Sequence, residues 1–465
     1  MRRQWTRFFI LATTLSFLLP ACERDTAGLA PARPLTDPLV FQDNFGNGVT
    51  YEAFLGSKLD AIEIVTDQKA EGAASLKVIV PRSGDAGGGF AGGACPTGPA
   101  RYLVEYNAMT FWAAASVATS FDVVGFGNDN TGFSKYTAES NGVAITQAWQ
   151  KFVVPIPLSG KLVSEAGMFF FADGSENGGA IDVWFDDIRF ENVPTITNPR
   201  PSMTNRSVGT FVGAQVEMRD TRTTFNVTGT DQVVSHMPSY FTFFSSDEQV
   251  AKPVEGAVQV VGAGSATITA KLDEVDVVGT VTLNAQAAPM SPATPPTAPQ
   301  GSVISMFSNA YNDVPIDTWL TDWSRDFADL TDFQVAGDDV KAYTNLIFAG
   351  IEFVNPTIDA SSMTHFHIDV WLSTGSSLFK LKFVDFGEDG KFGGEPGTPN
   401  ADSEAEITFS ISGSPPLPIG SWVGLDISLD DLMGTPGLRS RSHLAQLIIS
   451  GTRNTVFVDN LYYYR

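Results

Sequence analysis

The sequence predicts an all-β chain built as three β-sandwiches, the first and third of which are related. Three observations carry this. The 465 residues include 43 Gly, 27 Pro and 34 Phe, with 43% hydrophobic and only 17% charged residues. Such a mixture supports packed cores and many turns, and it does not suit disorder. Apolar residues alternate with period 2, and no long helical run interrupts them. Pro-rich breaks then divide the chain at Pro194–Pro201 and again at Pro289–Pro299, the second reading as an extended linker.

The segments between the breaks justify the elements in turn. Leu76, Val78 and Val80 share one face of a strand, as do Phe379, Leu381 and Phe383, which alternate with Lys380 and Lys382. Leu425, Ile427 and Leu429 face away from Asp426 and Ser428. The first and third pieces also match in order. Val183-Trp184-Phe185-Asp186-Asp187-Ile188-Arg189-Phe190 closes one, and Val456-Phe457-Val458-Asp459-Asn460-Leu461-Tyr462-Tyr463 closes the other. Trp149 precedes Val183 by the same number of residues as Trp422 precedes Val456. Met109-Thr110 and Met363-Thr364 each open a strand pair that ends in Phe-Gly. About eight strands per copy predict a two-sheet sandwich of jelly-roll type.

The N-terminus reads as a targeting segment. Arg2, Arg3 and Arg7 precede the apolar stretch Phe8–Leu19, which is too short for a membrane span. Leu19-Pro20-Ala21-Cys22 resembles a bacterial lipobox, which implies lipidation at Cys22 and anchoring to the outer membrane through lipid alone. The expected layout is a signal peptide at 1–22, a tether at 23–37, sandwiches at 38–192 and 193–288, a linker at 289–299 and a last sandwich at 300–465. The other cysteine, Cys95, lies in a Gly-rich stretch and reads as a small buried residue. No disulfide forms in the mature chain if Cys22 is acylated.

The formal net charge of −23 argues against nucleic acid as a partner, because an acidic surface repels phosphate. Catalytic patterns are missing: no nucleophile elbow, zinc motif, phosphate loop or dinucleotide fingerprint occurs. Glu274-Val275-Asp276-Val277-Val278-Gly279 resembles the catalytic strand of family 16 glycoside hydrolases, but Gly279 stands where the second of the two carboxylates belongs. His365 and His367 share a strand face, where they read as polar surface or as a metal pair. The acidic loop of Asp385 and Asp389, rich in glycine, offers oxygen ligands of the kind calcium takes. Otherwise it is a solvated loop.

A sugar ring offers a weakly polar C–H face and many hydroxyls. Its binder needs an aromatic platform beside amide or acid side chains. Trp319 and Trp323 lie in a polar, loop-like context, where an uncovered indole is unusual without a ligand. Trp149 and Trp422 precede alternating apolar sets and by strict period 2 face away from them, unless a turn at the strand entry points them inward. Asn128 and Asn130 offer amides beside Tyr136, though an Asn/Gly turn explains them equally.

The middle piece, with Ser245-Ser246-Asp247-Glu248-Gln249-Val250-Ala251 ahead of Gly262-Ala263-Gly264-Ser265-Ala266-Thr267, resembles the bacterial Ig-like group 2 family. That implies a spacer or adhesion module. Trp149-Gln150-Lys151-Phe152, Phe185-Asp186-Asp187-Ile188-Arg189-Phe190-Glu191, Asp313–Trp319, Phe348–Phe353 and His443–Gly451 resemble the carbohydrate-binding jelly-roll accessory modules of family 16 glycoside hydrolases. This second resemblance covers about two-thirds of the chain. It implies two jelly-roll β-sandwiches separated by an Ig-like β-sandwich, and binding of polysaccharide, with β-glucans such as laminarin favoured. It also implies a structural calcium shared by first and last strands, here Asp43 and Asp187. No catalytic domain accompanies these modules. The expectation is therefore a surface lipoprotein that binds glycan without hydrolysing it, beside glycan-degrading or transport proteins. An adhesion or structural protein without sugar specificity is the alternative, and a glycoside hydrolase acting from a sandwich scaffold is the third reading.

Overall fold

The computed structural model describes residues 35–174, 179–413 and 416–465. The expected lipidation site Cys22 and most of the tether lie outside the described residues. The described chain is all-β: thirty strands, joined by turns and five short 3-10 turns.

In the first sandwich one sheet runs Ile62–Val65, Ser75–Val80, Ile181–Glu191, Ala108–Ala115, Gln150–Pro155, and Leu39–Phe41 also pairs with Ile181–Glu191. The facing sheet runs Glu52–Ala53, Phe90–Arg101, Glu165–Gly174, Thr119–Phe126, Ala138–Ile145. Period-2 alternation sends Leu76, Val78, Val80, Val183 and Phe185 inward, all fully buried. Phe111, Phe121, Phe169, Phe171 and Phe185 pack between the sheets, mostly edge-on or tilted, with Phe171 stacked on Phe185.

The third sandwich repeats this order with fewer, longer strands. Leu444–Tyr464 pairs by residues 444–450 with Leu378–Asp385, and by residues 456–464 with His365–Leu372. Asp338–Glu352 follows it around the same corner. Both strands bend where their register shifts, near Asn345 (φ 53°) and Arg453 (φ 56°), so each serves two sheets. Ser403–Ser410 and Trp422–Ser428 then form the outer edges. The copies agree in detail at the closing strand. Asp187 (φ 46°) and Asn460 (φ 49°) both adopt left-handed backbone, and both donate N–H to the carboxylate of the preceding buried aspartate, Asp186 at 2.7 Å and Asp459 at 2.6 Å.

The middle piece is a sandwich of Arg206–Phe211, Val281–Gln286, Gly264–Leu272 and Thr242–Ser245 against Gln215–Glu217, Ala257–Val260 and Ala251–Val254. It is not hung freely between the copies. Thr230–His236 pairs with Ala138–Ile145 through Ser235–Glu139 and His236–Ala138, which carries the first sandwich's sheet on through Arg222–Val227 and Ile196–Ser202. One hydrophobic core spans Val40 to Ala285. The Pro-rich stretch expected to break the chain at Pro194–Pro201 thus contains the last strand of this sheet. Pro199 sits at a register shift and Pro201 on the edge, where a missing N–H costs no ladder bond. The linker 289–299 packs on the third sandwich: Ala293 is buried, and Tyr311 Oη donates to the Ala298 carbonyl at 2.9 Å.

Candidate binding face of the third sandwich

The four strand segments 346–352, 444–450, 378–385 and 403–410 form one sheet of the third sandwich. Its inner face carries Ala349, Ile351, Leu447, Ile449, Leu381 and Phe383. Alternation therefore sends Phe348, Gly350 and Glu352 outward. Beside them stand Gln446, Ile448 and Ser450, then Lys380 and Lys382, then Glu404, Glu406 and Thr408. At about 4.8 Å per strand the face is roughly 15 Å wide.

The edge of this face is built by the segment 317–327. Thr318 and Glu352 exchange backbone hydrogen bonds at 3.2 and 2.9 Å, so the segment begins as an added edge strand. It then turns through the 3-10 turn Asp322–Ser324. Thr321 N–H donates to the Gly350 carbonyl at 3.0 Å, and the Gly350 N–H donates to Ser324 Oγ at 3.2 Å. Ser324 is fully buried, and its hydroxyl also donates to the Thr321 carbonyl at 3.0 Å. The turn is thus clamped to both backbone groups of Gly350. Trp323 is the tip of the turn and lies across Gly350, where a Cβ would collide with its ring. Its ring stacks with Phe348 at 6.1 Å and 24°, and Phe348 stacks with Phe327 at 4.4 Å and 26°. Trp323 keeps 47% of its surface exposed and Phe327 38%. The result is an aromatic shelf on a rigid edge.

Polar side chains continue from the shelf across the face. Gln446 Nε2 donates to Glu352 at 2.8 Å. Lys380 pairs with Glu406 at 2.7 Å and Lys382 with Glu404 at 3.1 Å. These diagonal cross-strand pairs are half exposed, so they add little stability but hold donors and acceptors upright. A flat aromatic surface followed by ordered amide, ammonium and carboxylate groups can hold a C–H face and grip hydroxyls.

The other expected platform residues have different work. Trp319 is half-buried, edge-on to Phe307 at 5.5 Å with Lys341 Nζ 5.0 Å from its ring. It lines a cleft of about 630 Å³ with Lys341, Asp332, Arg325 and Arg219. Trp422 is a correction: its indole N–H donates to the Ser291 carbonyl at 2.8 Å and its ring packs on the Trp371–Phe457 cluster. The linker covers the side that strict alternation would have opened. Tyr136 is another correction. Its ring stands against Tyr240 at 5.4 Å and its hydroxyl donates to Glu255 at 3.0 Å, within the joint between the first and middle sandwiches. Asn128 accepts the Asn130 N–H at 2.9 Å, the turn-forming alternative, while the Asn130 amide reaches Glu52 at 3.4 Å. Trp149 is half-buried at the entrance of Gln150–Pro155, on the opposite sheet of the first sandwich.

The carboxylates expected to hold calcium all have protein partners. Asp43 caps the Ala73 and Ala74 N–H groups, and Asp187 pairs with the Arg189 guanidinium. Asp385 accepts the N–H groups of Gly387 at 3.0 Å and His443 at 2.8 Å, and burial raises its carboxyl above the usual range despite these bonds. Asp389 accepts Lys391 N–H at 3.1 Å. Among the described residues no three His, Cys, Asp or Glu side chains are arranged to hold a metal ion. His367 instead stacks on Tyr462 at 4.8 Å and bonds Asp426 at 2.8 Å. Burial would lower its imidazole, but Asp369 and Asp426 outweigh this and raise it. Cys95 is buried in the first core, which pushes its thiol up to about 12. The Glu274–Gly279 string belongs to the middle sandwich, where a Cβ on Gly279 would strike the Met203 carbonyl.

The shelf was only partly legible in the sequence. Phe348 entered only through the resemblance carried by Phe348–Phe353, and Phe327 gave no signal of its own. The contact of both with Trp323 depends on the fold of the edge segment.

Comparison with protein-family models and with curated proteins gives no match. Among solved structures, a family 30 carbohydrate-binding module of Clostridium thermocellum cellulosomal cellulase Cel9D-Cel44B is 18% identical, with a TM-score of 0.26, covering 34% of this chain and 99% of its own. The N-terminal CBM22-1–CBM22-2 tandem domain of Paenibacillus barcinonensis Xyn10C is 11% identical, with a TM-score of 0.23, covering 94% of this chain and 99% of its own. A β-1,2-glucanase of Parabacteroides distasonis is 11% identical, with a TM-score of 0.25, covering 56% of this chain and 40% of its own. Overlaps at such TM-scores carry no functional argument.

Proposed function

We propose that the chain binds polysaccharide without cleaving it, on the outer face of the third sandwich. The observation that carries this reading is the Trp323–Phe348–Phe327 stack, half open to solvent, at the head of the Glu352–Gln446 and Lys–Glu pairs. Exposure of the indole is the smaller part of the argument. An indole clamped by its neighbours' backbone and lined up with ordered polar groups is a preorganised platform, which lowers the entropy cost of binding. Soluble β-glucans such as laminarin are the favoured ligands, since a linear neutral chain needs a flat shelf and hydroxyl partners and no charge. In this reading Cys22 carries the lipid that holds the protein at the outer membrane, where its partners are glycan-degrading or transport proteins.

Affinity gel electrophoresis against a panel of soluble β-glucans tests the reading. Retardation should be seen with at least one glycan, and Trp323→Ala should weaken it by about 1–3 kcal/mol, the range of aromatic stacking on a flat ring. Unretarded migration in every gel would sink it. An adhesion or structural role is the second reading, favoured by the single core that joins the first and middle sandwiches into one stiff unit.

A further inference from the structure

The clamp that holds the Trp323 turn occurs twice in the molecule. In the first sandwich the edge of Phe90–Arg101 is covered by residues 50–58, beginning with the strand Glu52–Ala53. Phe54 N–H donates to the Gly92 carbonyl at 3.0 Å, and the Gly92 N–H donates to Ser57 Oγ at 2.9 Å. Ser57 N–H closes the turn on the Phe54 carbonyl at 3.0 Å, as Ser324 N–H does on Thr321 at 2.9 Å. In these three bonds Phe54-Leu55-Gly56-Ser57 is the counterpart of Thr321-Asp322-Trp323-Ser324, and Gly92 that of Gly350, although the Ser57 hydroxyl donates to the Lys58 carbonyl and not back into its turn. Gly56, at φ 83°, stands in the place of Trp323.

The shelf is differently furnished. A Cβ on Gly92 would meet the rings of Phe54 and Phe90, so these two rings lie over the glycine instead of an indole. Leu55, at the tip, is 103% exposed. Behind the shelf the outward rows run Gly92–Ala172–Val123–Asn141 and Ala94–Phe170–Gly125–Glu139. Val123 stands where the third sandwich carries Lys382, Ala94 and Phe170 are buried, and Asn141 and Glu139 stand where it carries Glu406 and Glu404. Glu52, reached by the Asn130 amide, stands at the rim.

We propose that this shelf is a second polysaccharide site, and that it takes the flat C–H face of a packed, insoluble glycan. A single dissolved chain presents hydroxyl edges to water and must be given donors and acceptors in exchange, as on the third sandwich. In a packed solid those edges are bonded to neighbouring chains, and what remains is a level, hydrogen-bond-poor surface that Phe54, Leu55 and Phe90 complement. A fully exposed leucine on a clamped turn buries nothing within its own fold. The net charge of −23 disfavours an anionic lipid surface as the occupant. The inference takes its ligand class from the glycan reading of the third sandwich, and its own support from the duplicated clamp.

The full chain is tested by co-sedimentation with insoluble β-1,3-glucan particles and microcrystalline cellulose, alongside gel retardation by soluble laminarin. Leu55→Ser, which touches nothing in the core, and Phe90→Ala should each cut pelleting several-fold and leave soluble retardation unchanged. Trp323→Ala should do the reverse. Pelleting that survives both shelf variants overturns the proposal, as does a wild-type chain that pellets with neither solid. If soluble retardation persists in either case, the third-sandwich reading stands alone. A wild-type dimer in sedimentation velocity that Leu55→Ser dissociates also overturns it, because the shelf would then be a chain–chain contact.

Discussion

Ser324 accepts the Gly350 N–H through its buried hydroxyl at 3.2 Å, and this contact decides where Trp323 lies. Ser324→Ala removes it and leaves a backbone N–H unsatisfied at a cost of about 1–3 kcal/mol. Glycan retardation should fall while the far-UV circular dichroism of the sheets stays unchanged. Gly350→Ala should act on binding from the other side, since the new methyl would push the indole off the strand. Retardation equal to wild type in both variants would show that the shelf is not the site.

Trp422 is predicted to fix the linker rather than the ligand. Trp422→Phe keeps an aromatic ring against Trp371 and Phe457 but deletes the N–H that meets the Ser291 carbonyl. The loss should be about 1 kcal/mol of stability. Limited proteolysis within 289–299 should accelerate, and glycan retardation should not change.

His236 makes the joint between the first and middle sandwiches sensitive to acid. Burial lowers its imidazole from 6.5 to about 4, against the opposing bond to the Met237 carbonyl. The ring is held neutral, with Nδ1 3.0 Å from that carbonyl and Nε2 3.0 Å from Thr223 Oγ1. The unfolded chain therefore binds the extra proton first. The stability from this group is complete above pH 6.5, is lost as pH falls toward 4, and amounts to about 3 kcal/mol at most. Denaturant melts of wild type and His236→Gln between pH 7 and pH 4 should converge on the acid side. Parallel pH dependences would refute the assignment.

Asp459 gives the third sandwich the opposite slope. Its carboxyl is raised, first by burial and then by the nearby Asp338 carboxylate, and its Oδ2 has no hydrogen-bond donor. The equivalent Asp186 meets the Ala70 and Glu71 N–H groups at 2.8 and 3.0 Å. A carboxyl raised in the folded state contributes stability that is present at low pH and lost as pH rises through the folded value. Asp459→Asn should raise the melting temperature at pH 8 and have a smaller effect at pH 5. A destabilised variant at pH 8 would contradict this.

Much of the architecture could be read directly. Leu381 and Phe383 alternating with Lys380 and Lys382 declared a half-buried strand, and the Val183 and Val456 closing strands declared the repeat. Exposure of individual aromatics could not be read the same way. Trp422, by its period, and Trp323, by its polar loop, both read as outward-facing, yet one is covered by a linker carbonyl and the other is open. The coverage comes from Ser291, more than a hundred residues away in the chain. Tyr136 was lost to prediction for the same reason, since its partner Glu255 belongs to another sandwich. In the acidic loop, Asp385 and Asp389 accept N–H groups of their own turns, contacts that the residue types alone do not specify.

By itself the sequence determined the all-β class and the kinship of the outer sandwiches, because side-chain period and turn residues act over a few neighbours and leave a local imprint. Tertiary structure alone decided that the middle sandwich shares a sheet with the first, and which rings stay uncovered. It also decided that Ser57 and Ser324, more than two hundred residues apart in the chain, clamp the same kind of shelf. Those outcomes depend on contacts between segments distant in the chain, and nothing in a residue's immediate neighbours encodes what will finally rest against it.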